Sequence, residues 1–191
     1  MHRWLPLFLL FALATAFRIL GLVAPTALPN VQPLIALFFC GALLLPGWRG
    51  FAAPAAVWML TTLLPMAIQG QTVLNDPTTL MVTLIAFGAM FLLGHRMKAH
   101  GAPAVLLASI AGAVGFHLLT NGTIWLTSPF YEKSLSGLWQ SLWSGPPGSQ
   151  IPSWVFLRNL AAANLLFTSL VLLARHQAVF PHLCALQKRA R

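Results

Sequence analysis

Residues 78–94, TTLMVTLIAFGAMFLLG, and 102–120, APAVLLASIAGAVGFHLLT, decide the fold class. Neither segment contains a charged residue, and each is close to the ~20 apolar residues needed to cross a bilayer core as a helix. Between them lies only 95–101, a compact basic loop with Arg96, Lys98 and His100. Two such segments on a short loop read as an antiparallel pair of membrane helices.

Outward from this pair the pattern repeats. An apolar run at 5–24 follows Arg3 and resembles a signal peptide in its small residues, but it is long enough to span and further spans follow it. A turn-rich stretch, 25–33, leads to a shorter run at 34–45, bounded by Pro46, Gly47 and Gly50. At that length it is either a crossing or a re-entrant segment. A third span is expected at 51–68, with Pro54 and Pro65 near its ends, and the last at about 156–173. On 102–120, Ala108 with Gly112 and Ala111 with Gly115 have the small-xxx-small spacing that lets helices approach closely. The expected fold is an all-α integral membrane protein, a bundle of about six transmembrane helices. Residues 1–175 form the single transmembrane domain and 176–191 a basic cytoplasmic tail.

Composition agrees with this reading. Of 191 residues 58% are hydrophobic and 7% charged, against about 25% charged in a typical soluble domain. Only Asp76 and Glu132 oppose 11 Lys and Arg, giving a net charge of +9. A catalytic centre built on several carboxylates is excluded. The positive charge sorts by loop: with six crossings, Arg3, Arg49, Arg96, Lys98, Arg175, Lys188, Arg189 and Arg191 fall on one side and Lys133 on the other. By the positive-inside rule both termini are cytoplasmic, as for a multi-pass protein of a bacterial inner membrane. Basic residues divided among short segments give no reason to invoke nucleic acid. Cys40 and Cys184 belong to different depths, so no disulfide joins them.

The segment after the fifth span has a helical face of its own. Leu135, Leu138, Trp139, Leu142 and Trp143 recur at i, i+3, i+4, i+7 and i+8 after Ser128 and Pro129, which suit an N-cap and first helical position. An amphipathic helix is therefore expected at 130–143 on the outer surface. It either anchors in lipid or forms a lid, with Tyr131, Glu132 and Trp139 as the lid residues.

Two cations escape the loop count. Arg18 lies inside the first span and Arg158 at the start of the last, where an ionisable group costs about 2.5–3.5 kcal/mol unless paired or hydrated. With Asn30, Gln32, His117, Asn121 and Asn159 they outline a polar pocket open to the exterior, suited to a small polar or anionic molecule. Each has a structural alternative: the arginines snorkel, and His117 satisfies a local hydrogen bond. No phosphate loop, His-x-x-x-His or Cys-x-x-Cys pair, or Gly-x-Ser-x-Gly elbow is present, so no catalytic residue, cofactor or metal ligand is assigned.

Phe17-Arg18-Ile19-Leu20, then Pro29-Asn30-Val31-Gln32-Pro33, resemble the start of an uncharacterised family of bacterial transport-type membrane proteins. Leu119, Thr120, Asn121 and Trp125, then Tyr131, Lys133, Leu135, Gly137 and Leu138, and finally Arg158, Asn159, Leu165, Leu166, Phe167 and Thr168 resemble its second half. That family is similar to the substrate-binding S components of energy-coupling factor transporters. The resemblance implies a six-helix subunit that captures a micronutrient for import by a separate ATP-driven coupling module, docked at Ala12 and Ala16 on the first helix. The family pattern places acids where this chain has Met66 and Asn164. A structural or assembly subunit of a membrane complex is the alternative, and an enzyme acting on lipid headgroups through His117 a more distant one.

Overall fold

The computed structural model describes residues 5–23, 33–63 and 77–189, with side chains over 11–20, 33–62 and 77–175. These residues are helical and contain no strand. In chain order the helices are α1 (Leu5–Val23), α2 (Leu34–Leu44), α3 (Arg49–Trp58) continued by a π-helical turn (Met59–Leu63), α4 (Pro77–Arg96), α5 (Ala102–Thr127), α6 (Leu135–Trp143) and α7 (Ser153–Arg189). Among the described residues three stretches are long and apolar enough to cross a membrane: Pro77–Ala99, Ala102–Thr127 and Ser153–Arg175. Only 22, 28 and 33% of their windows are buried inside the protein. Their outward faces, with Ile85, Leu92, Leu107, Leu118 and Leu166, are exposed and apolar. That much apolar surface suits lipid rather than water.

The short second run has the most unusual environment. Every residue from Leu34 to Leu43 is buried, because α2 packs against α1, α3, α4, α5 and α7. An α-helix of 11 residues is only about 16 Å long, roughly half the thickness of a hydrocarbon core. A helix that is hydrophobic all round belongs in an interior. α2 is thus the buried axis around which the longer helices stand.

Close approach at α2 depends on two glycine contacts. A Cβ on Gly50 of α3 would lie 2.6 Å from the Gly41 carbonyl oxygen, and one on Gly41 would overlap the Gly50 carbonyl oxygen. Pro54, four residues after Gly50, has no N–H to offer that oxygen, which lies instead against α2. On the opposite flank Gly94 of α4 meets the Phe39 carbonyl. Aromatic side chains fill the space between: Phe38 stacks on Phe87 at 4.2 Å, Phe51 lies 5.1 Å from Phe38, and Trp58 meets Phe87 edge-on at 5.6 Å.

α5 buries one stripe, Val105, Ser109, Gly112, Ala113 and His117. Gly112 packs on Met90 of α4. Of the small-residue pairs, Ala108 and Gly112 lie on the packed side, whereas Ala111 and Gly115 face outward. At the bundle's centre, Ser109 Oγ and Thr168 Oγ1 are 2.8 Å apart, Asn164 Nδ2 donates to the Ser109 carbonyl, and the Cys40 thiol donates to Thr168 Oγ1. All four residues are buried. This polar knot joins α2, α5 and α7 in an apolar interior, where each bond is protected from competition by water.

Two boundaries differ from expectation. α5 continues past residue 120 to Thr127, because Thr120, Asn121, Thr123 and Thr127 each bond back to the carbonyl four residues earlier. The polar side chains are thereby satisfied without ending the helix. The surface helix starts at Leu135 rather than 130, and its N-cap is Ser134, whose Oγ accepts from the Gly137 N–H. Ser128 instead closes a turn, its Oγ accepting from the Phe130 N–H. At the C-terminal end α7 continues as a helix to Arg189, so the basic tail is an extension of the last helix.

Candidate functional site

Where α5 ends and α7 begins, α4, α5, α7 and the loops on either side of α6 line a half-open cavity of about 450 Å³. Its polar lining is Thr79, Thr83, His117, Thr120, Asn121, Tyr131 and Ser153, and its apolar lining includes Phe116, Phe130 and Phe156. A volume of this size suits a small molecule, and hydroxyl, amide and aromatic groups together suit one that is both polar and flat.

His117 and Asn121 were expected in a pocket, and both line this one, but most of their hydrogen-bonding capacity is used within the protein. His117 Nε2 lies 2.9 Å from the Leu142 carbonyl, and Nδ1 lies 3.1 Å from Asn121 Nδ2. Asn121 Nδ2 also donates to the His117 carbonyl at 3.0 Å, which fixes the amide orientation. An amide nitrogen can only donate, so Nδ1 accepts and the imidazole proton sits on Nε2, donating to Leu142. Ser141 Oγ donates to the Asn121 carbonyl at 3.2 Å and completes a lock between α5 and α6.

Of the lid residues, only Tyr131 lines the cavity. It is 6% exposed, and burial pushes its phenol above the usual tyrosine range. Glu132 is exposed, and its backbone carbonyl accepts from the Trp125 indole N–H at 2.8 Å. Lys133 Nζ donates to the Ser128 carbonyl at 2.7 Å and to that of Trp125, covering the end of α5. Trp139 is 61% exposed and points away from the cavity. Part of the apolar face of α6 is therefore turned outward, with Leu135, Trp139 and Trp143 exposed and Leu138 and Leu142 half-buried, while Gly137 and Ser141 face the bundle.

The two arginines do not share the cavity with His117. Arg18 donates to Thr62 Oγ1 in the π-helical turn at 3.0 Å, and its buried Nε has no partner among the described residues. Arg158 is exposed, donates to Asn159 Oδ1 at 3.1 Å and lies over the Trp154 ring. Neither guanidinium is drawn onto Glu132. Ala12 and Ala16 lie exposed on one side of α1, beside Leu13, Ile19 and Leu20. Asn30, Gln32, Met66 and Asp76 lie outside the described residues. Among the described residues no group of His, Cys, Asp and Glu could hold a metal ion.

The sequence reading missed Thr79, Thr83, Phe116, Phe156 and Ser153. Thr79 and Thr83 are spaced i, i+4 on one helical face, the one local signal that could have marked them.

Residues 1–183 match a family of unknown function, DUF6580. The chain belongs to this family. The match includes α1 to α6 and reaches into α7, so the cavity is built wholly from DUF6580 sequence. No curated protein and no solved structure matches the chain.

Proposed function

We propose that this DUF6580 protein is a substrate-capturing membrane subunit similar to the S components of energy-coupling factor transporters, taking up a small micronutrient for import by an ATP-driven partner. The observation that carries the reading is the cavity of about 450 Å³ near the ends of the long helices. Its described lining offers hydroxyls, an amide and three phenylalanine rings without a cation. The preferred ligand is accordingly a neutral, polar molecule with a flat ring, a narrower class than the polar or anionic one that Arg18 and Arg158 suggested.

The topology proposed with it has six crossings and both termini in the cytoplasm of a bacterial inner membrane. In that topology the second crossing is the segment that contains α2, which protein rather than lipid surrounds. The basic loops support the orientation. Ala12 and Ala16, exposed on α1, are open to a coupling subunit.

A structural subunit of a membrane complex is favoured by one observation: the hydrogen bonds that His117 and Asn121 make within the protein leave them little capacity for a ligand. Thermal unfolding of the purified full chain against a panel of neutral ring-containing micronutrients separates the two readings. A ligand at 100 times its Kd adds about 2.7 kcal/mol, and Thr83→Val should reduce that gain. Unchanged melting across the panel, together with a stoichiometric complex lacking an ATPase, would favour the structural subunit.

A further inference from the structure

The outward face of α6 continues into the first turns of α7 as a row of stacked side chains. Trp139 stacks on Trp143 with ring centroids 5.7 Å apart and planes 12° apart, and Trp143 stacks on Trp154 at 6.2 Å and 27°. The Arg158 guanidinium carbon lies 5.3 Å from the Trp154 ring centroid. Leu135 extends the row at its other end and is 84% exposed. We infer that this row is a docking surface for the phospholipid monolayer at that end of the bundle, with Arg158 taking a lipid phosphate and the indoles lying at headgroup depth.

Depth, charge and side-chain direction support the assignment. Arg158 is the sixth residue of α7, about 7.5 Å below its start at 1.5 Å per residue. Helical side chains lean toward the N-terminus, and this one folds back over Trp154, one turn nearer the membrane surface. A guanidinium at that depth reaches the phosphates by snorkelling. Neither α6 nor α7 contains an acid to neutralise it, so its complement is an external anion. Indoles favour the membrane–water boundary because their rings are apolar and their N–H groups need a polar partner. On α6 itself, the small residues Gly137 and Ser141 face the bundle, Leu138 and Leu142 are half-buried, and Leu135, Trp139 and Trp143 face away, the arrangement of a helix lying in an interface.

The test uses the full chain in nanodiscs. In phosphatidylcholine brominated near the top of its acyl chains, the emission lost on Trp139→Phe or Trp143→Phe should be strongly quenched relative to non-brominated discs and little affected by aqueous iodide. In discs of mixed phosphatidylglycerol and phosphatidylcholine, Arg158→Gln should lower the preference for anionic over neutral lipid at that position roughly fivefold, the weight of one basic side chain at a membrane surface. Arg158→Lys should keep most of the preference, which distinguishes lost charge from misfolding. Iodide quenching without bromolipid quenching would overturn the inference and place the row in water. Shielding from both quenchers, with two copies per disc, would overturn it in favour of self-association. An Arg158→Gln protein that retains lipids like the parent would overturn the phosphate contact.

Discussion

Gly41 of α2 and Gly50 of α3 meet backbone to backbone, and neither has room for a side chain: a Cβ on Gly50 would stand 2.6 Å from the Gly41 carbonyl oxygen. The freed Gly50 carbonyl below Pro54 is part of the same contact. Gly50→Ala should therefore push α3 off the buried axis and cost about 1–3 kcal/mol, the usual range for overpacking. Gly88→Ala, at a position with open space around it, is the matched control and should be neutral or slightly stabilising. Thermal unfolding of the two variants in one detergent checks the difference.

The lock between α5 and α6 pairs the His117 imidazole with the Ser141 hydroxyl. His117→Ala leaves the Leu142 carbonyl without its imidazole donor and the Asn121 amide with the residue 117 carbonyl as its remaining partner, for a loss of about 1–3 kcal/mol. The loss should be local. Hydrogen exchange of 135–143 should accelerate while the α2 core keeps its protection. Equal acceleration in both regions would show that α6 does not open as a separate unit.

At the centre of the bundle, Ser109 and Thr168 share one hydrogen bond of 2.8 Å with no exposed surface. Ser109→Ala and Thr168→Val should each destabilise by about 1 kcal/mol or more. The double variant should cost less than the two losses added, because the second change removes a hydroxyl whose shared bond is already gone. Additive losses in a double-mutant cycle would mean that the hydroxyls do not act together.

Tyr131 is the chain's single tyrosine, which makes its ionisation directly readable. Its pKa is raised by burial, so the folded protein favours the neutral phenol. The resulting stabilisation is fully present below the unfolded value of about 10 and is lost as pH rises through the folded value. Tyrosinate absorbance of the folded protein should appear at higher pH than in the denatured chain. Tyr131→Phe, which has no such signal, supplies the baseline.

Much of the architecture is legible in residue pattern alone. The runs at 78–94 and 102–120 locate α4 and most of α5 because uninterrupted apolarity leaves a chain few alternatives. The ends are harder to read, since Thr120, Asn121 and Thr123 look like a loop until their side chains are seen bonding to the preceding turn. The face of α6 is legible as a stripe but not as a direction: periodicity cannot say whether Trp139 faces protein or lipid. For the site, His117, Asn121 and Tyr131 come together as a cavity lining, whereas Arg18 and Arg158 do not join them. Rarity of charge identified the arginines as unusual, but a long side chain can reach Thr62 or Trp154 well away from any shared pocket.

The enclosure of α2 also constrains how the protein is made. α3 and α4, which follow it directly, supply most of its surroundings, whereas α7, which supplies another part, lies more than a hundred residues further along the chain. The enclosure is therefore complete only once α7 is in place.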